Sequence, residues 1–304
     1  MVLDVIGFGA MNVDKVLKAE KIPKADEESY IHSISQYSGG SAANTVVALS
    51  RLGLKTGYIG KVGKDLEGEI LIKSLKDEGV NTEGVEVSEG RSGIAIDIVD
   101  KQGNRALLVD PGVNDFIEEV DEQYIEKSKF LHLTSFVCML SNKSFETQKK
   151  VVKAYKGDIS FDPGMLYAAR GLKAMLPITK KARVIFPSEG EVKVLTGHDY
   201  KKGAEVLLED GAEIVAVKLG AKGCYVTDGS KSYEIPAVKT KVVDTTGAGD
   251  AFCGGFLYGL LKGKSLKECG VLGNKVAAYC IGCVGAREGL PGLEEIKNVS
   301  TRQI

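Results

Sequence analysis

Short apolar runs alternate with amphipathic segments along most of the 304-residue chain, and this alternation limits the fold more than any other feature. Residues 2–9, "TGYIGKV" at 56–62, "KFLHLTS" at 129–135, "DISFDP" at 158–163, "ARVIF" at 182–186 and "EIVAVKL" at 213–219 read as buried strands. Between them, "AANTVVALSRL" after Ser41, "DLEGEILIKSLKDEG" at 65–79 and the stretches 142–155, 165–176, 189–195 and 200–209 carry apolar residues at helical spacing. Ser41 stands at the start of the first of these helices, and Gly53 stands where it should stop. Strands separated by helices of ~10–15 residues become parallel neighbours, because a parallel pair needs a crossover. The expected class is α/β, a doubly wound and mainly parallel sheet, with residues 1–304 as a single domain.

Two stretches break the alternation. "SYIHSISQY" at 29–37 has period two, and "SGIAIDIVD" and "RALLVD" at 92–110 are joined by the turn "KQGN". With no helix between them, they are expected to leave the main sheet as antiparallel strands, from about 12–38 and 91–113. A small sheet projecting over the end of an α/β body makes a lid.

Several function classes drop out. The formal net charge is -1, so no basic field invites nucleic acid or an anionic membrane. No apolar run approaches the ~20 residues of a spanning helix. The opening "MVLDVIGFGA" lacks a basic leader region and reads as a strand, which points to the cytoplasm. Six cysteines are scattered without a disulfide framework. Cys280 and Cys283 form a C-x-x-C, but there is no second pair and the three histidines are distant, so all six are expected to be buried and reduced.

Two glycine motifs are decoys. "GFGAMN" at 7–12 opens like a dinucleotide fingerprint, but Asn12 replaces the third glycine and no clean helix follows. "GLLKGKS" at 259–265 has one residue too few for a phosphate-binding P-loop and ends a helical stretch, with Gly263 as its stop.

"VVDTTGAGDAFCGGF" at 242–256 is different. "KVVDTT" reads as a strand end and "AGDAFCGGFLYGLL" as a helix, which places Gly247, Ala248 and Gly249 at a strand-to-helix turn. The first N–H groups of a helix lack intrahelical partners and carry the positive end of its dipole. Small residues let an anion approach them. Asp250 beside such a site would repel a resting phosphate, so it needs another task. A carboxylate there can take the proton of an attacking hydroxyl while the N–H groups steady the moving phosphoryl group. "GGSAANT" at 39–45 adds two glycines before a helix, and Asn44 offers both a donor and an acceptor to a hydroxyl. Upstream, "NVD" sets Asn12 and Asp14 just past the first strand. Ligands of open α/β sheets bind outside the carboxyl ends of strands, where Asn12, Asp14, Asn44 and Asp250 could converge on one polyhydroxylated substrate.

With these residues in place, the chain resembles the ribokinase (PfkB) family of carbohydrate and nucleoside kinases over nearly its whole length. "GGSAAN" is similar to the family's N-terminal signature and "DTTGAGDAFCGGF" to its C-terminal one. "PSEGEVKVLTG" is similar to its N-x-x-E region, and "VKLGAKGCYV" to its nucleotide-site strand and turn. The resemblance implies a ribokinase-like fold with a β-sheet lid.

The resemblance also implies roles. Asp250 is the base; Gly247, Ala248 and Gly249 form the anion hole. Asp14, Gly39, Gly40 and Asn44 hold sugar hydroxyls, together with Asn12 and Asn114. Lys218, Gly220 and Gly223 lie along the nucleotide, Asn274 near its base, and Ser188 and Glu191 near its phosphates. Glu191 organises Mg2+ through water, and Asp244 and Thr246 contribute to a site for K+. ATP is the implied donor and a sugar the implied acceptor. A nucleoside is the alternative acceptor, with Met11, Phe136 or Met139 facing its base. A sugar-binding regulator without catalysis is the non-enzymatic alternative, which the intact GAGD opposes. Exposed lid-strand edges favour a lid-to-lid homodimer. Three departures stand out: Ser188 replaces the family's Asn, Gly164 in "FDPGML" replaces the Asn of a D-x-N-x-R segment, and Ser41 stands where ribokinases often carry Lys.

Overall fold

Leu3, Val5, Ile6 and Phe8 are all buried, so strand β1 (Leu3–Phe8) has no solvent face and must sit inside a sheet covered on both sides. The computed structural model, which describes residues 2–298, has this arrangement. Met1 and residues 299–304, the ends of the expected 1–304 domain, lie outside the described residues. The further strands are β2 (Asn12–Ala19), β3 (Ile31–Gly39), β4 (Thr56–Gly63), β5 (Asn81–Ser88), β6 (Gly93–Val99) and β7 (Arg105–Asp110). They continue with β8 (Ser128–Thr134), β9 (Asp158–Asp162), β10 (Ala182–Ile185), β11 (Ile214–Lys218), β12 (Cys224–Thr227) and β13 (Ser232–Ile235).

The large sheet has nine strands in the order β13-β12-β11-β10-β9-β8-β1-β4-β5. Pairings from β11 across to β5 are parallel, and β12 and β13 run antiparallel at one edge. From β1 the chain moves outward through β4 to β5, then returns to β8 and moves outward the other way. The strand order therefore reverses between β1 and β8, and a ligand crevice is expected outside their carboxyl ends.

Helices cover both faces. Helix Ser41–Arg51 and helix Ala248–Leu261 bury Val46, Val47, Phe252 and Phe256 against one face, joined by helix Leu266–Cys280. On the other face, Phe145, Val152, Ile178 and Leu207 of helices Lys143–Ala154, Leu172–Thr179 and Tyr200–Glu209 pack with Ile6, Phe8 and Phe161.

Strands β3, β2, β6 and β7, in that order, form the separate small sheet expected from residues 12–38 and 91–113. The hairpin between β6 and β7 closes where "KQGN" was expected to turn, with Gly103 at φ 82°. β2 begins four residues after β1 ends, and β3 ends immediately before helix Ser41–Arg51. The lid is thus anchored at the carboxyl end of β1.

Four sequence expectations need correction. The helix expected at 165–176 is two pieces, Gly164–Ala168 and Leu172–Thr179, broken where Gly171 takes a positive φ of 79°. "KVVDTT" is not a strand: Val242 and Val243 are exposed, and Val243 N–H donates to Ile281 O at 2.8 Å, so the end of helix Leu266–Cys280 holds this segment instead of the sheet. The small sheet is not antiparallel throughout: β2 pairs with β6 in parallel, because the chain runs through the body between them instead of through a hairpin. Of the six free cysteines, Cys283 is exposed and Cys138 half-buried, because each lies outside the regular elements that bury the other four.

Candidate active site

Helix Ala248–Leu261 starts from Gly247, whose φ of 76° is left-handed and whose Cβ, if present, would lie 2.6 Å from Ala286 Cβ. In its first turn Ala248 N–H donates to Thr245 O and Ala251 N–H to Gly247 O. Helix geometry leaves the N–H groups of Gly249 and Asp250 without acceptors, as an anion hole requires. Asp250 stands in this turn, and Asn44 Nδ2, from the first turn of helix Ser41–Arg51, donates to its Oδ2 at 2.8 Å. Thr45 Oγ1 donates to the Asp250 carbonyl at 3.2 Å. The two signature segments thus meet side chain to side chain.

Asp250 keeps part of its surface open to solvent, yet desolvation is the strongest influence on its carboxyl. Burial pushes its pKa up to about 7, against the opposing hydrogen bonds of Asn44 and Ser41. A base with a pKa near neutrality suits proton abstraction at physiological pH.

Lys218, at the end of β11, does not extend outward. Its ammonium pairs with the Asp162 carboxylate at the end of β9, and a Cβ on Gly249 would lie 3.4 Å from its Nζ. A fixed cation therefore lies against the start of helix Ala248–Leu261. Burial opposes the charge of Lys218, but Asp162, Cys253 and Glu191 together outweigh it and raise the pKa. Cys253 Sγ also donates to Asp162, at 3.5 Å. Below them His132, fully buried, stays neutral with a pKa pushed down to about 4 by desolvation. Ser188 caps helix Glu189–Thr196 through a reciprocal box: Ser188 N–H donates to Glu191 Oε2 at 2.8 Å, and Glu191 N–H donates to Ser188 Oγ at 3.3 Å. Burial, followed by repulsion from Asp162, raises the pKa of Glu191.

On the lid side, Asp14 projects from β2 over the glycine pair; a Cβ on Gly39 would fall 2.2 Å from its Oδ2. Gly40 has a φ of 109°, and its Cβ would meet Ala10 O at 2.2 Å. Burial raises the Asp14 pKa to about 6, with Arg287 and Arg105 pulling the other way. Asn12, at the root of β2, accepts from Asn114 Nδ2 at 3.1 Å.

Two expected ligand contacts change character. Asn114 is 0% exposed: its amide donates to Met11 O and Asn12 and accepts from Met11 N–H, so it braces Asn12 and has no face for a ligand. Asn274 is buried, with Nδ2 donating to Ile235 O and Pro236 O, so it fixes the wall beside Gly223 instead of reaching a base. A Cβ on Gly223 would meet Ile235 O at 2.0 Å, while Gly220 lies open in the turn after β11. Of the three residues considered for a base, Met11 and Phe136 are core and only Met139 is exposed.

Asp244 closes the turn before Gly247. Its Oδ1 accepts from Thr246 N–H and Oγ1, at 2.9 and 2.7 Å, and its Oδ2 from Gly285 N–H at 2.9 Å. Although desolvation opposes it, these donors hold the carboxyl below the usual range, so it stays ionised. A concavity of about 700 Å3 lined by Glu118, Ile125, Val151 and Tyr155 brings together none of these residues.

Residues 3–293 match the profile of the pfkB family carbohydrate kinases. The chain belongs to the PfkB family. This PfkB kinase is 53% identical to an uncharacterised sugar kinase of Archaeoglobus fulgidus, over 81% of this chain and 98% of that one. It is 33% identical to an ATP-dependent ribose-1-phosphate kinase of Halopiger xanaduensis, over 93% of both chains. A crystal structure of a ribokinase from Thermotoga maritima superposes with a TM-score of 0.87 at 29% identity, covering 97% of this chain and 98% of that one. The fold is ribokinase-like, and the protein is a phosphotransferase with an alcohol acceptor.

Sequence reasoning missed two residues of this PfkB kinase. Asp162 was noted only for the Gly164 two places on, yet it sits at the carboxyl end of a parallel strand, a signal that could have found it. Arg287 lies between Gly285 and Gly289 in the loop after helix Leu266–Cys280 and is only 5% exposed. It donates through Nε to Asn44 Oδ1 at 2.7 Å, through Nη1 to Ser74 Oγ at 3.1 Å and through Nη2 to Gly39 O at 3.2 Å. Nothing in its sequence neighbourhood marks it.

Proposed function

We propose that this PfkB kinase transfers the γ-phosphoryl group of ATP to a primary hydroxyl of a sugar, with Asp250 as the base. The observation that carries this reading is the Asp250 carboxyl, with its pKa near 7, in the first turn of a helix that opens on Gly247, Ala248 and Gly249. The acceptor hydroxyl gives its proton to Asp250 as its oxygen attacks phosphorus. The helix N–H groups and the Lys218 ammonium stabilise charge on the transferred group. Asp14, Asn12, Gly39, Gly40 and Asn44 hold the other hydroxyls. Lys218, Gly220 and Gly223 line the nucleotide path.

The donor sets suit the expected ions. Glu191 keeps a carboxylate oxygen beyond its capping bond and stands near the phosphates in this reading, where it would order water around Mg2+. Bound Mg2+ neutralises charge on the β- and γ-phosphates. Asp244, held ionised, and the Thr246 carbonyl offer hard oxygens for K+, which would order the turn ahead of Gly247.

A nucleoside acceptor is the second reading, with Met139 as the exposed apolar residue among its three candidates. The body and lid act as one domain. A second copy fits the exposed Ile31, Ile34, Leu107 and Leu108 of the lid, giving a lid-to-lid dimer. Among the described residues no helix is long and apolar enough to cross a membrane, and the cytoplasm is the proposed compartment.

The test is a phosphoryl-acceptor panel with MgATP and ribose, fructose, ketogluconate, inositol, adenosine and cytidine. Transfer to a sugar supports the first reading, preference for a nucleoside the second, and transfer to none overturns both.

A further inference from the structure

We infer that Arg287 is a positioning residue for the phosphoryl-transfer base: it fixes which way round the Asn44 amide lies and so keeps an N–H donor on Asp250. The inference rests on the reading of Asp250 as base.

Arginine carries five donors and no acceptor. Whatever faces Arg287 Nε must therefore be an oxygen, and in Asn44 that is Oδ1, at 2.7 Å. The two ends of the amide are opposed, so Nδ2 must face Asp250 Oδ2, at 2.8 Å. Without Arg287 the amide is free to turn over whenever Asp250 carries its proton, and its oxygen would then accept from the carboxyl O–H and favour the protonated base.

Arg287 is itself fixed. Its fork spans Asn44 and Gly39 O at the root of the lid, and Ser74 on helix Leu66–Asp77. Its own carbonyl, with that of Leu290, accepts from Arg51 Nη1, and Arg51 is paired to Glu78. Burial lowers the pKa of Arg287, against the opposing pull of Tyr58, Glu78, Asp14 and Glu288. A lysine could reach one of these acceptors but not all three in a fixed plane. One buried guanidinium thus bridges the acceptor side of the site, through Gly39 and Asp14, and the base, through Asn44.

The test uses the full chain with Arg287→Lys, Asn44→Ala and the double variant. Asp250 is titrated by carboxyl carbon-13 NMR. The groups facing it are Asn44 and Ser41 on helix Ser41–Arg51, Asp162 on β9, Lys218 on β11, Tyr58 on β4, Cys280 on helix Leu266–Cys280 and Cys253 on its own helix. Of these groups only Asn44 is substituted, and Arg287→Lys keeps the positive charge that Tyr58 and Asp14 feel. The expected result is an upward shift of the Asp250 midpoint in Arg287→Lys, a similar shift in Asn44→Ala, and no further shift in the double variant. With MgATP and the fastest of D-ribose, D-fructose and adenosine, kcat should fall about tenfold or more while the KM for ATP moves less than about twofold. A lowered melting temperature with an unmoved Asp250 midpoint, or additive shifts in the double variant, overturns the inference. If Arg287→Lys does not fold, Arg287→Gln carries the same expectations, because its amide does not dictate the orientation of Asn44. Full turnover in Asp250→Asn would instead overturn the base assignment, and the titration would still report on the Arg287–Asn44 link.

Discussion

Asn44 donates to Asp250 Oδ2 at 2.8 Å although 206 residues separate them in sequence. Each comes from the first turn of a helix, and those two helices pack side by side on one face of the large sheet. The bond joins the residue proposed to hold the acceptor to the one proposed to activate it.

Asp250→Asn should lower kcat by ~10²–10⁴, the range for loss of a general base, with both substrates still bound. Turnover kinetics and calorimetric binding of ATP check it. Near-normal kcat would remove Asp250 from the base role.

The pH dependence follows from the same carboxyl. With the pKa raised to about 7, kcat/KM should climb as pH rises through 7 and Asp250 loses its proton. Stability should move the opposite way. The folded state holds this proton more tightly than the unfolded chain, so the stabilisation is complete below pH ~4 and disappears as pH passes ~7. Asp250→Asn should therefore raise the melting temperature at pH 8 and change it little at pH 4. Thermal scans at the two pH values decide this.

Asp14→Ala should act on acceptor binding. A charged hydrogen bond contributes ~1.5–3 kcal/mol, so the acceptor KM should rise at least about tenfold while the ATP KM changes little. Equal loss for both substrates would place Asp14 outside the acceptor site.

Lys218→Met leaves the buried Asp162 carboxyl without its cation. Breaking one side of a buried pair costs about 3–5 kcal/mol, which urea unfolding would register. Lys218→Met with Asp162→Leu should recover much of the stability but not the activity, because the cation beside Gly249 is still missing. Recovery of both would make the pair purely structural.

Replacing K+ with a bulky organic cation at matched ionic strength should lower activity, and Asp244→Ala should abolish that response. Equal rates with and without K+ would dismiss the cation site and leave the kinase chemistry untouched.

Strands β1, β4 and β8 to β11 and most helices were legible because burial on both faces writes continuous apolar runs, and amphipathic helices write a 3.6-residue period, whereas the more exposed edge strands β5 and β13 were not. The lid was legible for a related reason: "SYIHSISQY" alternates in period two, and only the turn "KQGN" separates "SGIAIDIVD" from "RALLVD". "KVVDTT" misled because β-branched residues suit extended backbone whether or not a sheet is present, and here the end of helix Leu266–Cys280 takes the hydrogen bonds. Asn114 and Asn274 carry the right chemistry, but a sequence does not say whether an amide is already spent on buried backbone groups.

The sequence by itself determined the α/β class and the glycine turn that opens a helix with Asp250 beside it, because glycines, a helix start and an adjacent carboxylate are local features with local physics. Only the tertiary structure decided the company Asp250 keeps. Asn44, Asp162, Lys218 and Arg287 come from four separate elements or loops, and parallel topology brings their ends to one edge of the sheet. Desolvation, which raises the Asp250 pKa, and the donor-only chemistry of Arg287, which orients Asn44, act over a few ångströms in space. They leave no mark at any fixed spacing along the chain.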